Sequence, residues 1–120
     1  MSERGAAGFP PTARLARAEQ FRRAFRHGTR LKDRNFTLIA HPNGTPEARL
    51  GLAISRKHAG NAVVRNRLKR VVRESFRQRR TLLAGLDIVF VARPGLGKLS
   101  NERLFAALDR NWQRLIEKCA

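Results

Sequence analysis

From Asn61 to Arg80 the chain sets apolar against cationic residues on a helical period, and no other stretch constrains the fold as tightly. Val64, Leu68, Val71, Val72 and Phe76 recur at spacings of four, three, one and four, which places them on one face of a helix. Asn66, Lys69, Arg70, Arg73 and Arg77 gather on the opposite side, with Arg65 and Arg67 at the two shoulders. Such a helix must seat its apolar face on another element and leave a cationic stripe outside. Asn61 suits the N-cap, because its side-chain oxygen can accept from an unpaired first-turn amide. Between Arg56 and Arg80 stand ten Lys or Arg and one acid, Glu74, so the stripe repels itself until an anion meets it. Arginine prevails over lysine, and a planar guanidinium grips phosphate through two parallel hydrogen bonds and stacks on bases. A merely solvated face is the weaker reading.

The remaining elements supply the layer that this helix covers. Residues 1–13 hold Gly5, Gly8 and Pro10-Pro11 and little to bury, which predicts a mobile arm ahead of one domain over residues 14–120. From Ala18, Phe21, Ala24 and Phe25 fall at i, i+3 and i+4 of a short helix ended by Gly28. A short strand over Thr29–Asp33 and a firmer one over Asn35–His41 follow, the second alternating Phe36, Leu38 and Ala40 with Thr37 and Ile39. Asn43-Gly44 signals a turn, so Arg49–Ser55 is expected as the hairpin partner of the preceding strand. Its Leu50, Leu52 and Ile54 oppose a small-residue side of Gly51, Ala53 and Ser55 that leaves room over the sheet. Asp87–Arg93 is almost continuously apolar, as an interior strand covered on both faces should be. Pro94–Lys98 reads as a turn, and Ser100 caps a last helix with the stripe Leu104, Ala107, Leu108, Trp112, Leu115 and Ile116.

Charge then narrows the partners. In 120 residues, 26 Lys and Arg against 9 Asp and Glu leave a net +17, a property that speaks to partners and not to fold. Nucleic acid is the first candidate, ahead of an anionic membrane or an acidic protein. No apolar run reaches the length of a membrane span and no signal peptide opens the sequence, so a cytoplasmic protein is expected. Cys119 is the single cysteine, which leaves no internal disulfide to form.

Catalytic chemistry is hard to find in these residues. His27, His41 and His58 lie at expected turns or element ends and lack metal-ligand spacing. Asp33, Asp87 and Asp109 fall in three different elements, and no nucleophile motif stands near a base. If the chain serves an enzyme, the reacting groups come from elsewhere.

The run Gly60–Phe76, with Arg65-Asn66-Arg67 at its centre, closely resembles the signature of the bacterial ribonuclease P protein subunit. Arg14-Leu15 with Phe21–Gly28 is similar to that family's first helix, Leu50–Lys57 to the strand entering its loop, and Asp87–Arg93 to its last strand. The likeness spans most of residues 14–118 in order. It implies an α+β fold, an α/β sandwich of order αβββαβα like domain 2 of ribosomal protein S5. It also implies a left-handed β-α-β crossover, where general rules would give the right-handed form.

The resemblance further implies an endoribonuclease subunit that removes the 5′ leader of precursor tRNA, with the catalytic RNA and its Mg2+ doing the chemistry and no catalytic residue or metal site in the protein. Arg65, Asn66, Arg67, Lys69, Arg70 and Arg73 correspond to the face that meets the catalytic RNA. Phe21, Phe25, Ala53, Lys57 and Ala92 correspond to the cleft for the single-stranded leader, where aromatic rings stack on unpaired bases; periodicity alone would make the two phenylalanines core residues. Ile39 stands where some members carry a tyrosine, a departure that removes a hydrogen-bonding and stacking group. No membrane and no protein partner is implied. The rival reading is a ribosomal or general structural RNA-binding protein, which would not prefer a leader-bearing precursor over mature tRNA.

Overall fold

The computed structural model describes Arg14 and residues 18–119; the expected arm, residues 1–13, lies outside them. Among these residues the chain runs α1 (Ala18–His27), β1 (Thr29–Lys32), β2 (Phe36–Pro42), β3 (Arg49–Ala53), α2 (Arg56–Ala59), α3 (Ala62–Gln78) and β4 (Leu86–Ala92). A 3-10 turn (Leu96–Lys98) and α4 (Asn101–Cys119) complete it. None of the described helices is long and apolar enough to cross a membrane.

The four strands form one sheet in the order β1-β2-β4-β3. β4 pairs antiparallel with β2 and parallel with β3. The expected β2–β3 hairpin is therefore wrong, because β4 lies between those strands. The reason is hydrophobic: Ile88, Val89 and Phe90 are fully buried, and only a central position covers both faces of such a strand. The Asn43-Gly44 turn does form, with Gly44 at φ 69°, but it serves a crossing loop. Asn43 donates to the Glu47 carbonyl at 2.9 Å and to Asp87 at 3.0 Å. Arg49 grips the same buried Asp87 through Nε at 2.6 Å and Nη2 at 2.9 Å, locking the parallel pair in register.

One face of the sheet carries the main core. Leu38, Leu50, Ile88 and Phe90 meet Leu68, Val71, Val72 and Phe76 of α3 and Leu104, Leu108, Trp112 and Leu115 of α4. Trp112 sets its ring edge-on to Phe76 at 6.0 Å and donates its indole N–H to Ser75 at 2.8 Å, so its one polar atom is satisfied inside the core. Buried Asn111, a position the periodic stripe does not reveal, ties α4 to the end of β1 by donating to Asp33 at 2.9 Å. The opposite face is covered only in part. There Ala24 of α1 rests on Ile39 and Val89, with Phe21, Ala53 and Val91 around them. Gly28 allows this close approach, since a Cβ would run into the Ala24 carbonyl and Ile39.

Candidate nucleic-acid interface

The cationic helix starts as its sequence requires. Gly60, at φ 104°, turns the chain, and Asn61 Oδ1 accepts from the Val64 amide at 2.9 Å. An N-cap of this kind contributes about 1 kcal/mol. With the helix fixed, the eight cations from Arg65 to Arg80 divide into three groups.

The shoulders are anchors. Arg65 donates from Nε to the carbonyl of buried Ile54 at 2.7 Å, tying α3 to the chain just past β3. Arg67 donates to the Gly97 carbonyl at 3.2 Å and to Asn101 Oδ1 at 2.5 Å, tying it to the 3-10 turn and the start of α4. Gly97 is required there, because a Cβ would collide with the Ala59 carbonyl. Both arginines keep further N–H groups for a partner, but their stems are already aimed.

The outward group is Asn66, Arg70 and Arg73, exposed, with Lys69 partly covered. Burial, then the fields of Arg65 and Arg73, holds the Lys69 ammonium below its usual range. Burial and Arg14 likewise lower Arg73. Cations that disfavour one another's charge in this way are stabilised by an incoming anion. The third group is neutralised within the fold. Arg77 pairs with Glu74 at 2.5 Å, Arg79 with Asp109 at 3.4 Å and Arg80 with Glu47 at 3.2 Å.

The face over α1 holds most of the expected cleft. Phe21 lines a cavity of about 200 Å3 with Arg14, Leu50, Gly51, Leu52, Lys69 and Arg73. One concave surface thus joins an aromatic ring of α1, the small-residue side of β3 and two cations of α3. Arg14 forms an isolated parallel bridge with Leu50 at its margin. Ala53 lies beside Val91 on this face, and Lys57 is exposed on α2 just beyond the strand. Phe25 is 38% exposed, so the core-packing alternative fails for it. It sits one turn along α1, where Arg30 donates to its carbonyl at 2.7 Å and places its guanidinium 6.0 Å from the ring centre.

Ala92 does not belong with these residues. It is buried with the α3 and α4 core on the other face of the sheet, and its neighbour Val91 takes the place assigned to it, because successive side chains on a strand point to opposite faces. Ile39 is wholly buried beneath Ala24, so the departure there alters packing under α1. Arg30 joins this surface without a motif to mark it in the sequence; its only local signal is an outward cation next to buried Leu31.

The acids have other duties. Asp33, Asp87, Glu47 and Glu74 each accept from a side chain of the fold and Asp109 forms an ion pair with Arg79, and the described residues gather no group of three His, Cys, Asp or Glu suited to a metal ion.

A family model described as Ribonuclease P matches residues 9–116. The ribonuclease P protein component of Thioalkalivibrio sulfidiphilus is 48% identical over 113 residues, covering 94% of each chain. That of Pseudomonas aeruginosa is 44% identical over 109 residues, covering 90% of this chain and 81% of the relative. Among solved structures, the RNase P protein of Staphylococcus aureus superposes with a TM-score of 0.80 at 27% identity, over 86% of this chain and 94% of that one. The RNase P protein of Thermotoga maritima gives 0.75 at 32% identity, over 84% and 96%.

Proposed function

The chain belongs to the ribonuclease P protein family, and from that premise we propose that it binds the 5′ leader of precursor tRNA in the α1/β3 cleft while the outward face of α3 meets the catalytic RNA. The observation that carries this reading is the cavity in which Phe21 shares walls with Lys69 and Arg73. A single strand laid there stacks a base on the ring and turns its phosphates toward the cations. The same cations face the RNA that cuts it, so one short helix brings two polyanions together and screens their repulsion.

The protein's part is positional and electrostatic. Hydrolysis belongs to the RNA, and Mg2+ supplies charge stabilisation and an activated water there. The carboxylates of this chain suit that division, since those named above are held by arginine or asparagine partners. Arg65 and Arg67 hold α3 at a fixed height over the cleft, and Arg70, Arg73 and Lys69 raise the local cation density that RNA phosphates meet. Affinity then falls steeply with salt, in proportion to the phosphates neutralised.

The test is cleavage of 5′-labelled precursor tRNA at low Mg2+ by a bacterial ribonuclease P RNA, with the chain, without it, and with the chain alone. Stimulation only in the mixture, with a cut at the mature 5′ end, is expected. Failure to stimulate, together with equal affinity for precursor and mature tRNA, overturns the reading in favour of a structural RNA-binding protein. Cleavage by the chain alone would reveal an active site in the protein.

A further inference from the structure

His27 and His41, fourteen positions apart and read from the sequence as separate turn residues, meet in the fold. His41 follows Thr37 and Ile39 on the α1 side of β2, and its ring centre lies 6.1 Å from that of His27 at the end of α1. The two imidazoles form one wall of a cavity of about 290 Å3 that Glu19, Arg22, Arg23 and Arg26 complete. This cavity is not the cleft described above. Thr37 and Val91 pair at the cleft level of the sheet, whereas His41 pairs with Asp87 four residues away, about 13 Å along the strands. α1 stands between them like a ridge.

The chemistry of the walls selects the ligand. The side chains of Arg22, Arg23 and Arg26 make no ion pair or hydrogen bond among the described residues, whereas Arg49, Arg77, Arg79 and Arg80 each hold a carboxylate. The side chains of His27 and His41 make no hydrogen bond there either, so ring nitrogens remain for a partner. Two imidazoles and one carboxylate would suit a transition metal, but three guanidiniums outnumber that carboxylate on the same walls, oppose a dication and favour an anion. A phosphate oxygen pair matches such donors, because guanidinium binds it in a bidentate manner and imidazole N–H adds a further bond.

We propose that this cavity is a second phosphate-binding site of the chain, taking the backbone of an RNA segment on the flank of α1 away from the leader cleft. It rests on the chain binding RNA and not on where the leader lies. The backbone comes either from the catalytic RNA or from a leader long enough to pass over α1, and the arms of one experiment tell these apart.

Titrating the full chain with inorganic phosphate, followed by the ring resonances of its three histidines, should move His27 and His41 at concentrations that leave His58 still. Arg23→Gln combined with His41→Ala should weaken RNA binding about tenfold and lower the salt dependence by close to one phosphate. Arg103→Gln with Arg110→Gln, exposed cations on α4, controls for general charge and should have a smaller effect. Glu19→Gln should tighten binding, an opposite sign that misfolding cannot produce. Loss confined to catalytic RNA assigns the site to that partner, and loss confined to precursors with long leaders assigns it to the leader; either supports the site. Equal movement of all three histidines, with the paired variant no worse than the α4 control on every RNA, overturns it. Phe21→Ala in the same assays tests the leader cleft separately.

Discussion

The two ends of α3 carry similar arginine content and opposite fates. Toward its start, Arg65 and Arg67 bond to main-chain carbonyls and asparagine, while Asn66, Lys69, Arg70 and Arg73 hold no carboxylate among the described residues. Past Arg73, the cations Arg77, Arg79 and Arg80 all pair with acids, drawn from α3 itself, from α4 and from the loop between β2 and β3. A count of cations treats these ends alike. The fold leaves one a crowded cationic surface under electrostatic tension and makes the other a neutral seam, and what separates them is where the few carboxylates were placed.

That contrast can be broken from below by removing the core both ends share. Phe76→Ala should cost about 3–5 kcal/mol of folding stability, seen as a lower urea midpoint, and should weaken RNA binding only through loss of folded protein. Gly97→Ala comes next. The collision with Ala59 displaces the carbonyl that holds Arg67, and such overpacking costs about 1–3 kcal/mol. Arg67→Lys, which keeps the charge but not the fork, should reproduce part of the loss in RNA affinity without the clash.

The sharpest version sets Arg73→Ala against Arg79→Ala. The first should weaken RNA binding by about 1–3 kcal/mol, as expected for a charge-assisted contact, and leave the thermal midpoint unchanged or slightly raised, because it relieves crowding with Lys69. The second should leave RNA affinity nearly intact and cost at most about 1 kcal/mol of stability, the worth of an exposed pair. Equal effects of the two on RNA affinity would erase the distinction.

The smallest effect is a pH dependence. Hydrogen bonds from Arg77, and then from Gln78, hold the Glu74 carboxyl below its ordinary 4.5. A lowered folded-state value means the contribution is complete above the unfolded value and is lost as pH falls through the folded one, so the window opens at pH 4.5 and runs downward. For an exposed pair three residues apart on a helix it is worth about 0.2–0.5 kcal/mol. Glu74→Gln should flatten the stability profile below pH 4.5 by that amount and leave neutral-pH RNA binding almost unchanged.

How much of this could be read in the sequence depended on how local the determining interaction was. The apolar face of α3, its Asn61 cap and the interior character of β4 were legible because periodicity, a cap and an unbroken apolar run are properties of neighbouring residues. The pairing of β4 between β2 and β3 was not, since it depends on a competition among strands for the centre. Ala92 was misplaced by one residue for a related reason: a strand buried on both faces has no alternation to show which way each side chain points. The anchoring of Arg65 and Arg67 was invisible because the accepting carbonyls belong to Ile54 and Gly97. The meeting of His27 with His41 waited on the packing of α1.

The central position of β4 also has a consequence in time. β2 and β3 share no ladder and touch the same sheet only through β4. During synthesis the ribosome releases β1, β2, β3 and the whole cationic helix before Leu86–Ala92 emerges to join them. Until then α3 has no completed sheet to lie on, and its apolar and cationic sides are both open beside ribosomal RNA. Folding of this chain is therefore a closing step made late, through contacts distant in sequence, and should be slow relative to its size.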